Sequence, residues 1–161
     1  MPGSARTSSN FSGNLQERLP NLGKRATATQ RHFVAFIVER DGKFLVRQRP
    51  ADVVNAHLWE FSNVEIGAQH SRNPRAAARN LGFQLTAATP FCTIKHSITR
   101  YRITLEVFRA RLGGMSYKSP KLNGVWLSLK RLNELPFTAA HKKILTQLHA
   151  SAQRRYLTLR H

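Results

Sequence analysis

A single cysteine, Cys92, occurs in 161 residues. It excludes an intrachain disulfide and any cluster held by four cysteines of this chain. Acids are scarce as well. Asp and Glu number 8 against 26 Lys and Arg, a formal charge of +18 with His neutral. No apolar run approaches the roughly 18 residues of a membrane-spanning helix, and residues 1–30 lack the apolar centre of a signal peptide. The expected location is the cytoplasm, associated with the nucleoid.

What is present is a core-forming fraction, 41% hydrophobic, in a chain of single-domain length. A pI near 11.6 in a folded chain suggests a polyanionic partner. Nucleic acid is the first expectation. An RNA binder of ribosomal type, an anionic membrane surface and a merely solvated basic surface are the alternatives.

Residues 1–30 are rich in Ser, Thr, Gly, Asn and Pro without a sustained period and read as a linker or tail. The folded domain is expected over 31–157. Within it, "HFVAFIVERDGKFLVRQRP" is a hairpin turning at Asp41-Gly42, and its apolar run Phe33 to Val38 predicts a strand covered on both faces. A short strand is centred on Trp59 to Val64. "NPRAAARNLGF" (73–83) predicts a short helix with Pro74 at its first position and Gly82 as its C-terminal cap.

Two strands follow, joined around Lys95 to Arg100. In the second, Tyr101, Ile103, Leu105 and Val107 alternate with Arg102, Thr104 and Glu106, so one face is buried and one wet. "GVWLSL" is a last short strand. "FTAAHKKILTQLHASAQRRYL" is the clearest helix, with Thr138 placed to cap it and His141 in its apolar sector as a packing residue rather than a ligand. The order predicts an α/β fold, an α/β/α sandwich around a mixed β-sheet.

From about Leu19 to Leu148 the chain resembles the Nudix-like (MutT-like) C-terminal domain of adenine DNA glycosylases of the MutY type. "DGKFLVRQRPADVVNAHLWEF" resembles the family's hairpin, its Arg-x-Arg strand end (Arg47, Arg49) and its Leu-Trp-Glu-Phe segment. "FCTIKHSITRYRITLEVFRARL" stands where that family has a His-x-Phe-Ser-His loop, and "VWLSLKRLNELPFTAAHKKIL" resembles its closing strand and helix.

The resemblance also locates an absence. Nudix hydrolases hold divalent cations with several glutamates on one helix, because hard cations need oxygen ligands. Laid on the pattern Arg-Glu-U-x-Glu-Glu-x-Gly-U, where U is aliphatic, Arg75 to Phe83 matches its end, but the three glutamate positions are Ala76, Arg79 and Asn80. Counting back, the first glutamate position is Gly67. From Ile66 to Leu105 there is no acid and there are six Lys or Arg.

This pattern leads to the expectation of a lesion-recognition domain of an adenine glycosylase, with no catalytic residue, no metal ligand and no activity of its own. The family's glycosylase chemistry, with its iron–sulfur cluster, belongs to a separate upstream domain. The expected partner is double-stranded DNA carrying an 8-oxoguanine:adenine mismatch, bound by a monomer. The resemblance implies contacts from Lys95, His96, Ser97, Thr99 and Arg100, with Thr99 at the family's Ser position keeping the hydroxyl that reads the oxidised base. Arg47, Arg49, Arg75 and Arg79 are candidates for the phosphate backbone or equally for solvated surface. Two other functions stay open: a Nudix hydrolase of nucleoside diphosphate derivatives, and a general basic nucleic-acid-binding module.

Overall fold

Asp41 and Gly42 both take positive φ, 52° and 70°, the two-residue turn whose twist matches antiparallel strands. They fold strand β1 (Thr29–Arg40) onto β2 (Lys43–Gln48). The computed structural model describes residues 26–67, 73–114 and 123–160. The linker expected at residues 1–30 lies largely outside them, and β1 begins two residues before Arg31.

Strand β3 (Trp59–Ile66) is followed by helix α1 (Pro74–Asn80) and the long hairpin β4 (Leu85–Ile98) and β5 (Tyr101–Leu112). Strand β6 (Val125–Ser128), the single turn α2 (Leu129–Leu132) and helix α3 (Ala139–Thr158) complete the described elements. The six strands form one sheet in the order β4-β5-β1-β3-β2-β6. Only β1 and β5 are parallel, so the sheet is mixed as expected.

Side-chain alternation along β1 builds both halves of the core. Val34, Phe36 and Val38 meet Ala77, Ala78 and Phe83 on the α1 face. Ala35 and Ile37 meet Phe61, Val107, Ile144 and Leu148 on the α3 face. The small Ala77 and Ala78 let α1 sit close to the sheet, where both are buried. Each fully buried Phe, Leu or Ile contributes about 1.5–3 kcal/mol relative to exposure, so the two apolar faces bind the three layers together.

The helix ends follow their caps. Asn73 Oδ1 accepts from Arg75 N–H, and Pro74 takes the first turn. At the other end Gly82 takes φ 78°. Its N–H donates to Arg79 O while Phe83 N–H donates to Ala78 O, a Schellman ending. Thr138 stands at the N-cap of α3, but its side chain makes no capping bond. Its backbone is used instead: the N–H donates to Trp59 O and the carbonyl accepts from Lys142 N–H.

That use of Thr138 reflects a split in the sheet. β1 pairs with β3 only as far as Phe36↔Ser62. Beyond it the Pro136–Thr138 segment runs beside Trp59 in parallel, Trp59 N–H donating to Pro136 O at 2.8 Å. This stitch fixes the start of α3 against the start of β3.

Candidate functional site

Arg47 and Glu60 are direct partners across the β2–β3 ladder. Trp59 and Phe61 face the α3 core, so alternation turns Glu60, together with Arg47 and Arg49, to the α1 side of the sheet. Glu60 is 3% exposed. Its two oxygens are divided between two guanidiniums: Arg47 Nε donates to Oε1 at 2.9 Å, and Arg49 Nη1 donates to Oε2 at 2.8 Å. Arg47 also donates to Asn63 O, and Arg49 Nε donates to Val54 O. Arg49 further anchors the 49–58 loop through backbone bonds to Leu58 and His57. Burial pulls the Glu60 carboxyl upward, but the Arg49 hydrogen bond and the charges of Arg47 and Arg49 together hold it below the ordinary carboxylate value.

The group carries one negative and two positive charges. Arg47 Nη1 and Arg49 Nη2 make no protein hydrogen bond among the described residues. The side chains of both arginines remain about a third exposed, at 32% and 28%. The clamp is therefore a rigid, net-positive fork with donors left over for an anion. Sequence reasoning points to both arginines, but as backbone contacts or solvated surface, and leaves Glu60 as a lone carboxylate. The signal was the Arg-x-Arg strand end followed by an acid on the next strand of the sheet.

Behind the clamp lies His141 of α3, 5% exposed. Its Nδ1 accepts from the Phe61 N–H at 3.1 Å, an amide that the sheet split leaves without a β1 partner. The ring stacks on Phe61, with centroids 6.1 Å apart. Burial lowers its pKa from 6.5 to about 4, with Glu60 opposing and Arg47 and Arg49 reinforcing the fall. His141 is thus a neutral packing and hydrogen-bonding residue, as its apolar sector suggested. Cys92 is half-buried against the same core, and burial pushes its thiol up to about 11.

Helix α1 presents Ala76, Arg79 and Asn80 outward, all exposed. Arg75 and Arg79 line a cavity of about 220 Å³ with Phe83, Gln84 and Leu85, and Arg75 Nη1 donates to Leu85 O at 3.4 Å. No group of three His, Cys, Asp or Glu able to hold a metal occurs among the described residues. A divalent ion of the kind Nudix hydrolases use does not fit the donor set of α1, since its guanidiniums repel the ion and the helix carries no carboxylate.

The remaining candidate residues lie elsewhere. β4 runs on through Ile98, so Lys95, His96 and Ser97 belong to a strand and only Thr99 and Arg100 form the turn. Alternation then sends Lys95 and Ser97 to one face and His96 to the other, so the five residues do not share one loop surface. Thr99 takes φ 46°, an uncommon conformation for a β-branched residue. Arg100 lies over the Tyr101 ring, which Arg31 also covers. Leu85, beside Arg75, and Lys95 lie on one strand, and at about 3.3 Å per residue they are about 30 Å apart. The α1 arginines and the hairpin turn are separate places.

Comparison with known proteins agrees with the architecture. The solution structure of the E. coli ORF135 protein superposes with a TM-score of 0.63 at 26% identity, covering 80% of this chain and 94% of that one. A MutT NUDIX hydrolase from Burkholderia pseudomallei gives 0.60 at 20% identity, covering 74% and 98%. The C-terminal domain of mouse MUTYH, from its complex with human PCNA, gives 0.60 at 18%, covering 76% and 90%. The two at or below 20% identity establish likeness of fold. A curated relative, CTP pyrophosphohydrolase of Escherichia coli (strain K12), is 41% identical over 56 residues, 33% of this chain; the match spans 42% of that protein.

These relatives correct the expectation that the chain has no activity of its own. That expectation rested on the missing helix glutamates and on likeness to a glycosylase's recognition domain. The similar proteins include chains named as a pyrophosphohydrolase and as a NUDIX hydrolase, and likeness of fold to the MUTYH domain does not show this chain to be part of a glycosylase. No helix among the described residues is long and apolar enough to cross a membrane. The NUDIX domain profile matches residues 33–147, most of the chain, which therefore belongs to the NUDIX domain family.

Proposed function

We propose that this chain is a NUDIX hydrolase of nucleoside diphosphate derivatives or triphosphates, receiving the substrate's phosphates on Arg47 and Arg49. The observation that carries the reading is the clamp on Glu60: two guanidiniums pre-oriented by one buried carboxylate, with donors to spare, in a NUDIX domain with a pyrophosphohydrolase among its relatives. Fixed guanidiniums stabilise charge that develops on phosphate oxygens as a phosphoanhydride breaks, and they do so without reorganisation. Glu60 orients the fork. Both its oxygens are committed and its carboxyl is held low, so it is not the group that takes a proton from water. No step is assigned to a helix-bound metal.

The test is a panel of nucleotides, CTP and 8-oxo-dGTP among them, followed by detection of monophosphate and pyrophosphate. The unaltered chain is expected to turn over at least one of them. Arg49→Ala should lower kcat/KM about 100-fold, the usual cost of one donor to a developing oxyanion, with Arg49→Lys failing to restore it. Absence of product from every nucleotide would defeat the reading.

The charge of +18 exceeds what a nucleotide requires and favours a second property, binding to double-stranded DNA. Under this reading Thr99, at the exposed hairpin turn, meets 8-oxoguanine through its hydroxyl. Thr99→Val keeps the β-branched shape and removes the hydroxyl. It should cut the preference for an 8-oxoguanine:adenine duplex over guanine:adenine by about fivefold, the low end for a base-edge contact. A preference unchanged in side-by-side titrations at one salt concentration would remove Thr99 from lesion reading.

A further inference from the structure

We propose that the arginines gathered around the N-terminal half of edge strand β4 form a collar that docks the phosphate backbones of duplex DNA. The proposal deepens the DNA-binding reading, on which it rests, and moves its main contact surface away from the hairpin turn.

The collar is assembled by contacts that link four elements. On the α1 layer, Arg75 and Arg79 flank Leu85, the first residue of β4. Leu85 pairs with Leu112, Ala87 with Arg111 and Thr89 with Arg109 at the end of β5. On the α3 layer, Arg109 donates to Ser151 Oγ at 3.0 Å and lies over the Phe91 ring. Burial and then the charge of Arg155, one turn of α3 beyond Ser151, hold the Arg109 guanidinium below its ordinary value. Arg154 and Arg155 sit on the part of α3 where every residue from Ala152 onward is exposed.

Six arginines thus surround one corner of the sheet. A carboxylate that does reach them is that of Glu39, 3.8 Å from Arg109 Nη1. The C-terminal end of the α3 dipole offsets part of the repulsion for Arg154 and Arg155. It does nothing for Arg75, Arg79 and Arg111 on other elements. Several arginines elsewhere in the fold are matched: Arg31 with Glu65, Arg47 and Arg49 with Glu60, Arg131 with Glu134. At this corner, among the described residues, six guanidiniums meet one carboxylate, that of Glu39 on Arg109, and guanidiniums suit phosphate oxygens bidentately.

The layout selects a duplex. The two halves of the collar lie on opposite layers of the sandwich, about 20 Å apart at roughly 10 Å per layer. That span reaches from one backbone to the other across a groove about 12 Å wide. A single strand would call for a platform of aromatic rings. Tyr156 is the one aromatic among the exposed large hydrophobics of the described residues, and Arg160 already covers it at 4.8 Å. An anionic membrane would call for a continuous apolar face, whereas on the free end of α3 the exposed Tyr156 and Leu157 follow directly on Arg154 and Arg155.

The test measures binding of a labelled duplex by fluorescence anisotropy across a salt series, for the full chain and three double variants. Arg154→Gln with Arg155→Gln, and Arg75→Gln with Arg79→Gln, should each lower the log–log salt slope by about 1.8, at about 0.9 for each phosphate that is no longer neutralised. Affinity at 0.1 M salt should fall at least tenfold. Lys95→Gln with Arg100→Gln, at the hairpin turn, should lower the slope by less than either collar variant. Thermal melting should be unchanged in all three, since these side chains are exposed. If the turn variant lowers the slope and neither collar variant does, DNA binding stands and the collar is wrong. If the unaltered chain binds no duplex even at low salt, the DNA-binding reading itself fails. Tighter binding to phosphatidylserine vesicles than to duplex, abolished in the collar variants, would assign the surface to a membrane and overturn the proposal.

Discussion

Glu60→Ala should destabilise the fold by about 3 kcal/mol in chemical denaturation at neutral pH. The carboxylate is the shared counter-ion of Arg47 and Arg49, and removing one partner of a buried pair typically costs about 3–5 kcal/mol. The lower end applies because both guanidiniums keep about a third of their side chains in water, which screens the charge left behind. The loss extends beyond the ion pairs. Arg49 also holds Val54 O, so the 49–58 loop loses its anchor when Arg49 is freed. Glu60→Gln should cost less, since an amide oxygen still accepts from one arginine. Equal stability of Glu60→Ala and the unaltered chain would mean that solvent already satisfies the clamp. The pH dependence has a definite sign. The Glu60 carboxyl is held below its ordinary value in the folded chain, so its contribution is present above about pH 4.5 and is lost as pH falls through the folded value.

Acidification from pH 7 to pH 4 should remove a further 3 kcal/mol or so through His141. Its folded pKa lies at about 4 against an ordinary 6.5, and each pH step between these values costs about 1.4 kcal/mol. A depressed folded value means that the unfolded chain binds the proton first. Stability is therefore complete above about pH 6.5, falls between there and about pH 4, and levels below. The physical event is protonation of Nδ1, which then cannot accept from the Phe61 N–H. His141→Asn separates this effect from simple packing loss. Its side-chain oxygen sits where Nδ1 was and still accepts from Phe61, while the group no longer titrates. The variant should be less stable at pH 7, having lost the ring stacked on Phe61. Its stability should then stay nearly flat between pH 6.5 and 4.5. A slope in that interval matching that of the unaltered chain would place the titration elsewhere.

Local chemistry was legible from residue order alone. Asp41-Gly42 specifies its turn because both residues tolerate positive φ, and the continuous run Phe33 to Val38 announced a strand with two covered faces. Pro74 and Gly82 delimit α1 for reasons internal to the helix. The period-two pattern of β5 and the apolar stripe of α3 are likewise local, as is the lack of carboxylates on α1. Those signals sufficed for the mixed sheet between helices. They did not suffice for function, because absent glutamates on one helix say nothing of groups placed on neighbouring strands.

Long-range pairing decided the rest. Arg47 and Glu60 meet because β2 and β3 are laid side by side in one register; a shift of one residue would send either side chain to the opposite face. His141 is buried because β1 parts from β3 beyond Ser62, leaving the Phe61 amide in need of an acceptor from another layer. Lys95 to Ser97 became strand rather than loop because β5 offers them a ladder through Tyr101. The arginines around β4 come from elements spread from residue 75 to residue 155, and sequence distance carries no trace of their meeting. Sequence by itself determined which residues turn, cap and alternate, since those preferences are set within a few residues. Which charges share a site was left to the tertiary structure, since Coulomb interactions depend on separation in space and on burial.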